Sequence, residues 1–156
     1  MQALFDLLDK NNMRLVTAES CTGGMIAAAV TALPGSSRVF ERGFVTYGNE
    51  AKGEMLGVSI ETLREFGAVS APTAEEMTRG ALNRSRAHVA VATTGIAGPD
   101  GGTPEKPVGT VFIAVEVKGH PARSYEHHFT GDRAAVRQQT VDAAVKHLTT
   151  LIKETP

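Results

Sequence analysis

The chain has 156 residues, of which 42% are hydrophobic and 21% charged, an ordinary globular composition that argues against disorder and fits one domain over residues 1–156. Lys and Arg number 16 against 17 Asp and Glu, for a formal net charge of -1, which excludes a globally basic nucleic-acid binder. The lone cysteine, Cys21, excludes an intramolecular disulfide framework and, with no secretory signal in MQALFDLLDKNN and no apolar run near the ~18–20 residues of a membrane span, predicts a cytoplasmic protein.

In chain order, residues 3–11 read as a short amphipathic helix with Leu4, Phe5 and Leu8 on one face. RLVTA (residues 14–18) reads as a buried strand, and after Gly23-Gly24 the alanine-rich MIAAAVTAL reads as a helix ended by Pro34-Gly35-Ser36. Residues 39–47 (VFERGFVTY) predict a strand. Residues 49–56 predict a helix that Asn49 can cap, and SIETLREFG a second, with Ser59 as cap and Glu61 in the first turn. The spacing of Thr73 and Glu76 predicts a capping box for AEEMTRGALNRS. HVAVATT (residues 88–94) is a strand of the kind buried on both faces. A Gly/Pro loop follows over 95–107, then two strands near 108–117 and 123–130, then a final helix from Arg133 capped by Asp132.

This alternation predicts an α/β fold, a single-domain three-layer α/β/α sandwich with a mixed, mostly parallel sheet. Ligands in such folds collect at the C-terminal ends of strands. Two segments fall there: Ala18–Gly24 and Thr93–Gly102. An uncovered edge strand in the sheet predicts a homo-oligomer, a homodimer in the simplest case.

Ser20 at the first strand-to-helix junction has two readings. It caps the helix, or it is a hydroxyl nucleophile beside helix-end N–H groups that stabilise an oxyanion. Gly23 and Gly24 let a substrate approach the backbone closely. Cys21 competes with Ser20, because a thiol at a helix N-terminus can have a lowered pKa; its bland reading is a small buried hydrophobe. No histidine is placed to activate Ser20. His127 and His128 are adjacent on a strand and point to opposite faces, and His88, His120 and His147 each read as structural or solvent-facing. No His, Cys, Asp or Glu set has metal-ligand spacing, so no metal is expected.

Lys52, just after Tyr47-Gly48-Asn49, is a surface lysine or the general base of a Ser-Lys dyad. The second role demands burial, since a lysine of ordinary pKa ~10.4 is neutral in only about one molecule in 2,500 at pH 7. The loop GIAGPDGG (residues 95–102) is mobile surface or a backbone cradle for an anion. Arg133 and Arg137 are four apart near a helix N-terminus that disfavours cations, which points to an anionic partner or to an internal salt bridge.

Taken together, TAESCTGG, GFVTYGNEAK, AVSAPTAEEM, TTGIAGPDGGTPEKPVGTV and GDRAAVRQQ, in this order over residues 4–152, resemble the C-terminal domain of the competence/damage-inducible CinA proteins. Stand-alone members of that family are nicotinamide-nucleotide amidohydrolases. The resemblance implies hydrolysis of the carboxamide of nicotinamide mononucleotide to nicotinate mononucleotide and ammonia, a step of pyridine-nucleotide salvage, with no cofactor. It implies Ser20 as nucleophile, with Lys52 and Tyr47 as its catalytic partners. Substrate is then expected to meet Cys21, Thr22, Gly23, Gly24 and Asn49, and the loop from Thr94 through Gly95, Ile96, Ala97 and Gly98. The substrate phosphate is assigned to Arg133 and Arg137, with the glycine loop as rival. Activities of the N-terminal domain of two-domain CinA proteins are not carried over. The implied partner is a small nucleotide, with neither nucleic acid nor membrane; the competing reading is a pyridine-nucleotide-binding regulatory module without turnover.

Overall fold

A computed structural model of the chain describes residues 1–155; Pro156, the last residue of the expected domain, lies outside them. Helix α1 (Gln2–Lys10) precedes strand β1 (Leu15–Glu19) and helix α2 (Met25–Thr31). A 3-10 turn at Ser36–Arg38 leads into β2 (Phe40–Val45). Helices α3 (Asn49–Leu56), α4 (Ile60–Phe66) and α5 (Ala71–Asn83) follow, then β3 (Val89–Gly95), β4 (Thr110–Val117), β5 (Arg123–His128) and α6 (Arg133–Glu154).

The five strands form one sheet in the order β2-β1-β3-β4-β5. β1 runs parallel to both β2 and β3, whereas β4 is antiparallel to β3 and to β5. Only β4 is therefore reversed, and the sheet is mixed and mostly parallel as expected. β1 and β3 are buried along their length because side chains alternate between two covered faces. Leu15, Val89, Val91, Val111, Ile113 and Val115 meet α1, α2 and α6 through Leu8, Ile26, Val30, Val136, Leu148 and Ile152. On the other face Val16, Ala18, Ala90 and Ala92 meet Leu56, Met77 and Ala81 of α3 and α5. The alanines on that face let α5 lie close to the sheet.

Several local expectations are corrected. The strand expected over 39–47 is the shorter β2, an edge strand with a mostly exposed or half-exposed pattern. Asn49 does not cap α3; Gly48 holds that position with no side-chain bond. Thr73 and Glu76 form no capping box, because α5 begins one turn earlier. Ser70 is its cap, accepting from the Thr73 N–H at 3.4 Å, and Glu76 instead accepts from the Ser59 N–H at 2.7 Å. Ser59 and Asp132 cap α4 and α6 as predicted, accepting from Thr62 N–H at 3.0 Å and Ala135 N–H at 2.8 Å.

The register sets Glu19 between Val45 and Thr93, so the C-terminal ends of β2, β1 and β3 lie side by side. The reversed β4 starts opposite the end of β3, with Gly95 paired to Val111. The 96–109 loop therefore returns to the same rim, and α6 begins near it.

Candidate active site

The loop after β1 is held from below by a buried acid. Glu19 is fully buried; its Oε1 accepts from Thr22 Oγ1 at 2.7 Å and the Ile26 N–H at 2.9 Å, and its Oε2 from the Ala27 N–H at 3.0 Å. It thereby satisfies N–H groups that α2 would otherwise leave unpaired at its start. Since Thr22 gives its only proton to the carboxylate, the 2.8 Å contact between Thr22 and Thr93 must have Thr93 Oγ1 as donor. The Ser20 N–H donates to Thr93 O at 2.9 Å, one residue past the end of β1.

This geometry removes the cap reading of Ser20. The N-cap position of α2 belongs to Gly24, in left-handed backbone at φ 102°, and Ser20 makes no cap bond. Its Oγ faces Lys52 Nζ at 3.1 Å. Lys52 reaches that point from α3 and is 1% exposed. Its other neighbours are the carbonyl oxygens of Thr46, at 2.9 Å, and Tyr47, at 3.2 Å. No carboxylate among the described residues lies within ion-pairing distance of it. Burial holds its pKa below the ordinary lysine value. A neutral amine has two N–H donors, and two carbonyls accept them; the lone pair is then left for the Ser20 hydroxyl. The β2-to-α3 turn is fixed for this purpose by the Thr46 N–H, which donates to Glu19 O at 2.9 Å.

Cys21 is buried, and burial pushes its thiol pKa up to about 11. That removes the lowered thiol pKa on which its candidacy as nucleophile rested. The N–H groups of Cys21 and Thr22 find no backbone acceptor among the described residues, so they are available to an oxyanion.

A cleft of about 270 Å³ opens over Ser20 and Lys52. Of the sequence-predicted residues, Ser20, Cys21, Tyr47, Asn49, Lys52, Thr94, Gly95, Ile96, Ala97, Gly98 and Arg133 line it. Thr22, Gly23, Gly24 and Arg137 are not among its lining residues. Thr22 is spent on Glu19 and Thr93, as above. Arg137 is spent on the loop backbone: Nε donates to Cys21 O at 3.1 Å and Nη2 to Thr22 O at 3.3 Å. Arg133 faces the cleft, donating to Gly98 O and to the Tyr47 hydroxyl, each at 2.9 Å. Neither arginine is within ion-pairing distance of an acid among the described residues, so the salt-bridge reading of this pair does not hold.

Ala68 and Val69 line the cleft although the sequence reading gave them no site role, whereas Asp100 and Gly101 belong to the GIAGPDGG loop that it singled out. The first two belong to the α4–α5 turn, which Thr94 ties to the rim by donating to Ala68 O at 2.7 Å. Glu19 escaped as well, although an acid one residue before Ser20 and within reach of a helix start was a usable signal.

The sequence profile of the CinA C-terminal domain matches residues 1–152. The chain belongs to that family. It is 53% identical over 134 residues to the nicotinamide-nucleotide amidohydrolase PncC of Escherichia coli K12, covering 86% of this chain and 81% of that protein. A CinA-like protein of Akkermansia muciniphila is 50% identical over 141 residues, but the match covers 90% of this chain and only 34% of that protein. The chain thus spans about a third of the length of the longer relatives it matches. Among solved structures, the competence/damage inducible protein CihA from Agrobacterium tumefaciens superposes with a TM-score of 0.92 at 49% identity, covering 96% of this chain and 91% of that one. No helix among the described residues is long and apolar enough to cross a membrane.

Proposed function

We propose that this chain is a nicotinamide-nucleotide amidase working by a Ser-Lys mechanism. The observation that carries the reading is the buried, acid-free contact of 3.1 Å between Lys52 Nζ and Ser20 Oγ at the floor of an open cleft. The kinship with the PncC amidohydrolase supports the carboxamide of nicotinamide mononucleotide as the substrate group.

In this mechanism Ser20 passes its proton to the neutral Lys52 amine as Oγ bonds to the carboxamide carbon. The oxygen gains the negative charge and is met by N–H groups of the Cys21–Thr22 turn. When the C–N bond breaks, the Lys52 ammonium returns its proton to the departing nitrogen, which leaves as ammonia. Tyr47 and Arg133 hold the outer part of the nucleotide, with Arg133 the cation available to its phosphate. A water molecule, deprotonated by Lys52, then attacks the acyl carbon; nicotinate mononucleotide leaves and Ser20 regains its hydrogen. The reading places the chain in pyridine-nucleotide salvage.

Ammonia release from nicotinamide mononucleotide by purified protein is the test. Ser20→Ala should lower turnover by about three orders of magnitude or more. Cys21→Ala should stay within a few-fold of the parent. Tight nucleotide binding with no ammonia released by the unaltered protein would favour a regulatory module. Loss in Cys21→Ala with retention in Ser20→Ala would move the nucleophile to the thiol.

A further inference from the structure

Thr22 is among the residues expected from the sequence to meet substrate, but it is fully buried and off the cleft. Its hydroxyl is instead the middle link of a buried chain. Glu19 and Thr93 are register partners on β1 and β3, so their side chains leave the same face of the sheet. Thr93 Oγ1 donates to Thr22 Oγ1 at 2.8 Å, and Thr22 Oγ1 donates to Glu19 Oε1 at 2.7 Å. The chain runs in one direction, since a carboxylate accepts and each hydroxyl holds a single proton. It starts on β3, passes through the turn that follows Ser20 and ends on β1.

Thr93 also holds that turn at a second point, because its carbonyl accepts the Ser20 N–H at 2.9 Å. One residue of β3 thus fixes Ser20 through backbone and Thr22 through its hydroxyl, and Cys21 is bracketed between them. The Gly23 N–H closes the turn by donating to Ser20 O at 3.0 Å. Ser20 and Cys21 both line the cleft. A shift of this turn would move Ser20 Oγ against Lys52 Nζ, and the Cys21 N–H against a developing oxyanion.

We propose that the Glu19–Thr22–Thr93 chain is a positioning device for the amide hydrolysis, in which Thr22 touches no ligand and acts through its hydroxyl on the placement of Ser20 and the Cys21 N–H. The inference rests on the amidase reading above. Every link of the chain is satisfied and buried, so the network favours one arrangement of the turn. Deleting the middle hydroxyl orphans the Thr93 proton and takes one of three donors from Glu19. The turn then gains freedom where the geometry is tightest, at the 3.1 Å contact of Ser20 with Lys52. Thr78 supplies a matched comparison. It is equally buried and donates to the Glu116 carboxylate at 2.7 Å, but it joins α5 to β4 and neither residue lines the cleft.

The experiment is steady-state kinetics with nicotinamide mononucleotide, with a thermal melt of each variant. Thr22→Val keeps the branched shape and loses the hydroxyl; its kcat should fall about 10- to 100-fold with KM within a few-fold, the size expected of an ångström-scale misplacement. Thr22→Ser keeps the hydroxyl and loses a buried methyl group, so it should melt earlier but keep kcat within about threefold of the parent. Thr93→Val leaves all three donors of Glu19 and the Thr93 carbonyl in place, and should lower kcat less than Thr22→Val does. Thr78→Val should lower the melting temperature and leave kcat unchanged. A nucleotide analogue with an aldehyde in place of the carboxamide gives a reading without turnover. Ser20 Oγ adds to its carbon, the hydroxyl proton passes to Lys52, and the aldehyde oxygen takes the negative charge. Thr22→Val should weaken this analogue about tenfold or more and bind nicotinate mononucleotide as the parent does. Parental kcat in Thr22→Val, or kcat that falls in step with melting temperature across Thr22→Val, Thr22→Ser and Thr78→Val, overturns the proposal and leaves the amidase reading intact. No ammonia release by the unaltered protein overturns both.

Discussion

Arg137 joins the second turn of α6 to the turn that follows Ser20, its Nε donating to the Cys21 carbonyl at 3.1 Å. A second bond, from Nη2 to Thr22 O at 3.3 Å, makes the contact a two-point grip on the residues just past Ser20. Pulling these carbonyls toward α6 fixes the peptide planes that follow Cys21 and Thr22, and with the first of them the direction of the Thr22 N–H. In the proposed mechanism Arg137 is therefore a positioning residue, whereas Arg133, on the cleft wall, is the one within reach of a ligand in the cleft.

The two arginines should separate kinetically. Arg137→Ala should lower kcat by about 10- to 100-fold and leave KM for the nucleotide within a few-fold, since an ångström-scale misplacement of catalytic groups has effects of that size. Arg133→Ala should instead raise KM about tenfold or more. Steady-state kinetics on both variants decides this; a change in KM alone for Arg137→Ala would return the phosphate to that residue.

Sequence reasoning reached the ends of this arrangement more easily than its middle. Ser20 and Lys52 were legible because each stands where a strand meets a helix and each belongs to a long ordered motif. The sandwich was legible from HVAVATT, whose unbroken apolar run needs two covered faces. The spacing of Arg133 and Arg137 was also legible, but one turn of helix separates a cleft wall from a loop clamp, and only the docking of α6 reveals which is which. Thr73 and Glu76 show the same limit from the other side. Their spacing fits a capping box, but a serine three residues earlier takes the cap, and the acid is drawn to the start of α4 by a tertiary contact. The meeting of His127 on β5 with His147 on α6, Nε2 to Nε2 at 2.9 Å, has no local trace at all.

Lys52 predicts a pH dependence with a definite sign. Its folded-state pKa is lowered by burial, so between that value and the unfolded ~10.4 the unfolded chain binds one more proton than the folded one. The burden on stability is fully present below the folded-state pKa and disappears as pH rises toward ~10.4. Relative to Lys52→Met, the parent should gain stability as pH rises through that window, as seen in paired urea denaturations at stepped pH. The kcat/KM of the parent should rise over the same range, with an inflection below the ordinary lysine value. Lys52→Met should lose about three orders of magnitude of activity. A stability difference that is flat with pH would mean that the amine titrates normally.

Two helical glycines that look alike in sequence should respond in opposite ways to alanine. Gly80 sits in the interior of α5, where a glycine normally weakens a helix by about 1 kcal/mol. A Cβ there would fall 1.9 Å from the Leu56 carbonyl oxygen at the end of α3, and backbone cannot step aside cheaply. Gly80→Ala must therefore push α5 and α3 apart, at a cost of roughly 1–3 kcal/mol or more. For a chain of this size each kcal/mol shifts Tm by about 2–4 °C. Gly53, in α3 itself, offers the contrast. Its added Cβ would meet nothing nearer than Val58 O at 3.6 Å, an ordinary contact, so Gly53→Ala should gain up to about 1 kcal/mol from helix propensity. Because α3 carries Lys52, Gly80→Ala should also reduce ammonia release, through a displaced amine, while Gly53→Ala should not. Thermal melts with activity measured on the same samples would test both; equal stability of the two variants would mean that the α3–α5 approach is looser than 1.9 Å to Leu56 O implies.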